Sequence, residues 1–357
     1  MSLPRLPCST FLLLHIFESS NHILQSITMS QQEGPVTAYT WQISAQDQQG
    51  GPGLDKDMKE QANWTQLEYW DDNGKPYLKE YEGRGLLQDK AVLITGGDSG
   101  IGRSVAILMA REGADVSILY LPEEEEDAQY TIKQIEKAGR KGHGMQYDLK
   151  EESNCKAAID EHIKVFGKLN VLVNNASMQE SCEDHREIDI SVVTKTFQTN
   201  IIQVFNQRAD EDKKTNADIL LVQMMALSKY ALQHMKRGDN IVNSASVLAY
   251  MGDASKIDYS STKGAIVTFT RALAKQQAPR GIRVNAVAPG IIWTPLQPAT
   301  ANVPAEGMKN VGVGMAPMNR TGMPIEIATA YIQLASPLGS YFTGECIHGT
   351  GGIEMQG

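Results

Sequence analysis

The run DYSSTKGAIVTFTRALA places Tyr259 and Lys263 four residues apart, and Ser246 lies upstream in NIVNSASV. Residues four apart share one face of a helix, so the Lys263 ammonium can stand beside the Tyr259 phenol. A free phenol titrates near ~10 and exchanges protons poorly at neutrality. A neighbouring cation favours the phenolate and lowers that value. Tyr259 then becomes a proton donor or acceptor for a carbonyl/alcohol pair, and Ser246 can hydrogen-bond the same oxygen. Tyr-x-x-x-Lys alone is short enough to be a chance surface pair, so the assignment needs a scaffold around it.

The run KAVLITGGDSGIGRSVAILMAREGADVSILY supplies one. Val92 to Thr95 form an apolar strand, Gly96, Gly100 and Gly102 a turn, and Ile101, Val105, Ile107, Leu108 and Met109 the stripe of a helix. Glycines at such a turn let the backbone approach a pyrophosphate at the positive end of the helix. Strands are expected near 91–95, 115–120, 142–147, 170–174, 240–245, 282–287 and 344–348. Helices are expected near 100–112, 124–139, 151–166, 187–200, 225–237, 258–279 and 324–335. This alternation predicts an α/β fold, a Rossmann-type doubly wound parallel sheet with helices on both faces.

In chain order, TGGDSGIG (95–102), Asp148, NNAS (174–177), Asn200, Ser246, YSSTK (259–263) and PGIIWT (289–294) resemble the short-chain dehydrogenase/reductase family over about residues 85–357. The lead-in PGLDKDM, the YLPEEEEDA run and APGIIWTPL resemble its glucose/ribitol dehydrogenase-like, general-stress oxidoreductase subgroup. The resemblance implies catalysis by Asn200, Ser246, Tyr259 and Lys263 without a metal. It implies a dinucleotide held along Gly96, Asp98, Ser99, Gly100, Ile101, Gly102 and Tyr120. Asp148 and Leu149 would meet the adenine end and Asn174 and Ala176 the ribose, with Asn175 more structural. Pro289, Gly290, Ile292 and Thr294 would face the nicotinamide, and Tyr259 and Lys263 would also touch it. Asn200 would hold a water linking Lys263 to solvent. A small alcohol or carbonyl substrate and a homo-oligomer, dimer or tetramer, are implied. The interface would use a helix face of Met225, Leu227, Ala231, Leu232 and Met235.

The expected cofactor is NAD rather than NADP. No base follows strand two, where Tyr120 and Leu121 precede Pro122 and Glu123 to Glu126, and Asp98 sits inside the glycine loop. A 2′-phosphate would meet carboxylates there instead of the Arg or Lys that usually receives it. The ribose-binding Asp usual at this strand end is also missing, the glutamates also suit a helix N-terminus, and Arg103 is the residue that could overturn the choice.

A net charge of −9 argues against nucleic acid as a partner. No apolar run approaches the ~20 residues needed to span a bilayer. Cys8, Cys155, Cys182 and Cys346 are scattered, with neither CxxC nor metal spacing, so a reduced, cytoplasmic setting is expected. Residues 1–28 carry PCSTFLLLHIF after one Arg. They read as a signal or mitochondrial presequence, or as a stretch ahead of a start at Met29. Residues 29–85 read as an extended N-terminal arm with little regular structure, and 86–357 as the catalytic domain.

One segment departs from the family pattern. Removing Val204 to Gln223 joins TNIIQ to MMALSKYALQHM as one helix and shortens the Asn200–Ser246 separation from 46 to 26. Val codons begin GT and Gln can be CAG, so the segment reads as a retained in-frame intron in preference to a surface loop. Two functional classes follow: an active NAD(P)-dependent oxidoreductase, or a folded but impaired relative in which 204–223 disrupts the Asn200 helix and the subunit interface.

Overall fold

The computed structural model of the chain describes residues 34–41, 43, 46, 53–201, 203, 204, 220, 221, 223–300, 308 and 311–353. Residues 1–28, and with them the expected presequence or stretch ahead of Met29, and most of 204–223 lie outside the described residues.

An apolar run long enough for a strand and flanked by helical segments can satisfy its backbone only inside a parallel sheet covered on both faces. The chain forms largely buried runs at β3 (Ala91–Thr95), β4 (Asp115–Tyr120), β6 (Val171–Asn174), β9 (Asn240–Ser244) and β10 (Arg283–Pro289), with the half-buried β5 (Gly142–Gln146) and β11 (Cys346–Gly349) at the two edges. They make a seven-stranded sheet in the order β11-β10-β9-β6-β3-β4-β5, every pair parallel. The helices α1 (Gly100–Arg111), α2 (Glu125–Lys137) and α9 (Pro324–Ala335) pack on one face. On the other face lie α3 (Glu152–Phe166), α5 (Gln223–Ala231) and α7 (Ile257–Gln277). The expected strands and helices form, except that the helix expected over 225–237 ends at Ala231. Strand order reverses beside β3, so connections diverge between β3 and β6 and leave a crevice at the carboxyl ends.

The arm differs from expectation. Residues 66–70 (β1) and 76–80 (β2) form an antiparallel hairpin with Gln66 opposite Glu80. Asp71 closes its turn by accepting from the backbone N–H of Asn73 and Lys75 at 2.8 and 2.9 Å, an Asx-type turn. Tyr39, Ile43, Met58 and Ala62 of the arm are buried within the main apolar cluster.

The helix α4 (Ile190–Asn200) ends at Asn200, and α5 resumes at Gln223. Gln203–Val204 (β7) and Leu220–Leu221 (β8) pair antiparallel between them. The break therefore falls where the sequence pattern put it. The expected subunit face is corrected: Leu227, Ala231 and Met235 are buried against the sheet, Leu232 is partly buried, and Met225 reaches solvent. An apolar helical stripe records that something covers it, not whether the cover is the chain's own sheet or a second copy.

A chain lacking 204–223 is expected to melt at higher temperature. Closing a loop of that length costs roughly 2–3 kcal/mol of chain entropy, and a direct helical join removes that cost. A lower melting temperature in calorimetry would show that the segment contributes native contacts.

Candidate active site

Thr95 ends β3, and its Oγ1 accepts the backbone N–H of Asn175 and Ala176, both at 2.9 Å. This bond joins the carboxyl ends of β3 and β6, where the chain turns away on either side. The glycine turn follows. Gly100 opens α1 at φ +49°, a left-handed backbone that only glycine adopts without strain. Gly102 allows a close approach: a Cβ there would lie 1.9 Å from the Gly96 carbonyl oxygen and 2.6 Å from Asn175 Nδ2. The result is a cleft of about 580 Å³. Its floor is Gly96 to Ile101, its adenine-side wall Tyr120, Leu121, Asp148 and Leu149, and its lid Thr294 to Leu296. Such a bare glycine cradle at a helix N-terminus fits a dinucleotide pyrophosphate.

The expected positions divide. Asp98, Ser99, Gly100, Ile101, Tyr120, Asp148, Leu149, Ala176 and Thr294 line the cleft. Asn174 does not. Its side chain is buried in the core and donates to Asn243 Oδ1 at 2.9 Å. Asn175 reaches the cleft instead, and its Nδ2 holds the Gly96 carbonyl at 3.0 Å. Gly102 acts behind the turn through the packing just described. Ile292 is buried in the main cluster and its backbone bridges to Gly322. Pro289 accepts the Val247 N–H at 2.9 Å, and a Cβ on Gly290 would lie 2.8 Å from Thr350 Cα. These three shape the end of β10 and are not among the residues lining the cleft.

Behind Ser177, α7 brings Tyr259 and Lys263 onto one face, the Lys263 Nζ 5.3 Å from the centre of the Tyr259 ring; neither these two nor Ser246 is among the residues lining the cleft. The Nζ donates to the Ser244 carbonyl at 2.9 Å. The Ser246 hydroxyl, expected on the substrate oxygen, stands against the Tyr259 phenol, as does that of Ser177, which lines the cleft. Burial pushes the Tyr259 phenol up to about 12, against the opposing pull of the two serines. Burial pushes Lys263 down to about 7. The expected lowering of the phenol by its lysine is thus reversed. Both groups are almost wholly buried, and desolvation disfavours both charged forms.

Asn200 saturates its side chain. Its Oδ1 accepts from Ser177 Oγ at 3.0 Å and the Met178 N–H at 2.7 Å, and its Nδ2 donates to the Met178 carbonyl at 2.8 Å and Thr262 Oγ1 at 3.1 Å. It therefore positions the 177–178 turn against α7, and its amide has no capacity left for the expected water. Further out, Gln179 Nε2 donates to Thr300 Oγ1 at 2.7 Å and Ser181 Oγ to the Thr300 carbonyl at 3.1 Å. Sequence reasoning did not single out Ser177, Gln179 or Thr300, although the last two lie in the loops 178–190 and 295–322 expected to build the substrate pocket. Only Ser177, within NNAS, stood beside a recognised motif.

Residues 96–354 match a family model described as enoyl-(acyl carrier protein) reductase. The chain belongs to the short-chain dehydrogenase/reductase family. It is 43% identical over 282 residues to NADPH-dependent aldehyde reductase 1, chloroplastic, of Arabidopsis thaliana, covering 77% of this chain and 90% of that one. It is 40% identical over 282 residues to glucose and ribitol dehydrogenase of Daucus carota, covering 78% and 89%. A short-chain dehydrogenase from Burkholderia cenocepacia J2315, solved in complex with NADP, superposes with a TM-score of 0.64 at 27% identity, over 75% of this chain and 98% of that one. The family and subgroup resemblance and the doubly wound fold read from the sequence are borne out. Among the described residues no helix is long and apolar enough to cross a membrane, and no cluster of His, Cys, Asp and Glu could hold a metal.

Proposed function

We propose that the chain is an NAD(P)-dependent oxidoreductase that interconverts an alcohol or sugar hydroxyl and a carbonyl, with Tyr259 as the acid/base. The observation that carries this reading is the Tyr259 phenol, set against the Ser246 and Ser177 hydroxyls beside Lys263 and joined through Ser177 to a glycine-floored cleft. A bound nicotinamide would exchange a hydride with the substrate carbon. Tyr259, protonated through neutrality, would donate its proton to the nascent alkoxide, and Ser246 would hold the same oxygen. Ser177 would steady the phenol from its other side. Lys263, close to neutrality in its titration, would switch charge in step with the phenol. The polar outer wall of Gln179, Ser181 and Thr300 suits a substrate carrying further hydroxyls. Asn200 keeps all its side-chain bonds despite the break after it, which weighs against an impaired relative. Residues 86–357 as the catalytic domain, a homo-oligomer and a retained intron at 204–223 remain part of this proposal.

NAD is the proposed cofactor. The names of relatives that mention NADP do not select it for this chain, whereas the cleft offers carboxylates where the second phosphate would lie. Arg103 is fully engaged by Asp55 at 3.1 Å and Asp127 at 2.9 Å, and Lys150 pairs with Asp148 at 3.3 Å. Burial holds Asp98 and Glu124 well above the usual carboxylate range; the charge of Asp55 raises Asp98 further, and that of Asp98 raises Glu124. These two carboxyls lose their protons as pH rises across neutrality, and a 2′-phosphate gains charge over its own pKa of ~6. Repulsion therefore grows with pH. The expected result is kcat/KM higher with NAD than with NADP, with the NADP/NAD ratio falling as pH rises. A ratio above one, or one that climbs with pH, would mean a cation reaches the phosphate.

A further inference from the structure

Residues 53–64 of the arm run behind the cleft and touch both of its walls. Gly53 passes so close to Pro295 that a Cβ would lie 2.5 Å from the Pro295 carbonyl oxygen. Asp55 is 1% exposed. Its Oδ2 accepts from the Gly100 N–H at 3.0 Å, the first residue of α1 in the glycine turn, and pairs with Arg103 Nη1 at 3.1 Å. The Asp55 N–H in turn donates to Asp127 Oδ2 at 2.9 Å. The Glu60 carbonyl accepts the indole N–H of Trp293 at 2.8 Å, and Trp293 is the residue before Thr294, whose side chain reaches across to within 3.1 Å of where a Gly100 Cβ would stand. Trp64 caps the run. Its carbonyl accepts Ser104 Oγ at 2.7 Å, and the Arg103 guanidinium lies 4.6 Å from its ring centre and 4.8 Å from that of Tyr130, against two rings whose own centres are 5.8 Å apart.

A carboxylate is stabilising at a helix N-terminus, and a buried ion pair with good geometry fixes register. Asp55 does both at the turn that must meet the pyrophosphate, and it occupies the guanidinium that could otherwise reach a 2′-phosphate. Glu60 fixes the opposite wall through Trp293. The arm is thus one continuous piece bonded to the glycine turn at one point and to the 293–296 loop at another.

We infer that Asp55 is a positioning residue for the cofactor, the anchor of an intramolecular brace that sets the spacing of the two cleft walls. The inference rests on the reading of the cleft as a dinucleotide site. Asp55 touches neither the substrate region nor Tyr259, so its loss should act on cofactor affinity and leave the rate at saturating cofactor almost unchanged.

The test compares the full chain with Asp55→Asn, Asp55→Ala and Trp293→Phe, measuring NADH dissociation constants by fluorescence, KM and kcat. Tyr81→Phe serves as a stability control, because Tyr81 bonds Glu112 after the far end of α1. The expected result is a rise in Kd and in KM for cofactor of roughly tenfold or more for Asp55→Ala, less for Asp55→Asn, which keeps an acceptor for Gly100. Asp55→Asn combined with Trp293→Phe should be non-additive, as expected of residues acting through one element. Tyr81→Phe should lower the melting temperature and leave Kd alone. A wild-type Kd in both Asp55 variants, with lowered melting temperatures, would reduce Asp55 to a purely structural residue and overturn the inference alone. Failure of the unmodified chain to bind NADH would overturn the dinucleotide reading together with it.

Discussion

Tyr259→Phe is expected to lower kcat by roughly 10²–10⁴-fold, the usual contribution of a general acid/base. The variant keeps the ring and its packing under Ser246 and Ser177 and removes only the transferable proton. NADH binding should survive, because the glycine turn and the 293–296 loop are untouched. Stopped-flow binding and steady-state turnover separate the two effects. Near-normal turnover would show that another group moves the proton, and Ser177 would be the first candidate because it already reaches both the phenol and the cleft.

Gly102→Ala should have an effect of similar size by a different route. The added methyl would stand 1.9 Å from the Gly96 carbonyl oxygen, a backbone atom that cannot swing aside as a side chain can. Overpacking of this kind costs about 1–3 kcal/mol, so the melting temperature should fall. More telling is the cofactor. Moving Gly96 or the start of α1 by even ~1 Å displaces the pyrophosphate cradle, and misplacements of that order cost about 10²-fold. A folded Gly102→Ala variant that binds NADH as tightly as the unmodified chain would show that the Gly96–Gly102 contact does not shape the site.

The inner strands of the sheet were legible because strands covered on both faces read as apolar runs, as in Ala91 to Thr95, whereas the edge strands GHGMQ and CIHG carry no such run and were placed by their alternation with helices. The Tyr259–Lys263 pair was legible because helical spacing alone puts both on one face. Neighbouring residues at a strand end were not. Side chains alternate there, so whether Asn174 or Asn175 faces the cleft depends on a register that the letters NN do not carry. The phenol's titration was misjudged for a related reason: spacing gives the proximity of a cation, whereas burial of both partners is a property of the packed fold. The hairpin in the arm left a readable trace, DDNG between Trp70 and Lys75, a strong turn signal between aromatic runs. The Asp55–Arg103 contact left none, because it joins residues far apart in sequence and depends on how the arm crosses α1.

The most direct test of the central claim is deuterium transfer. The unmodified chain is incubated with NADH carrying deuterium at the nicotinamide C4 and a panel of aldehydes and aldose and ketose sugars, and the products are read by mass spectrometry. The account predicts a carbinol carbon bearing the label, formed by the unmodified chain and strongly diminished in Tyr259→Phe. Label that appears equally with Tyr259→Phe, or none from a chain that binds NADH, would contradict it.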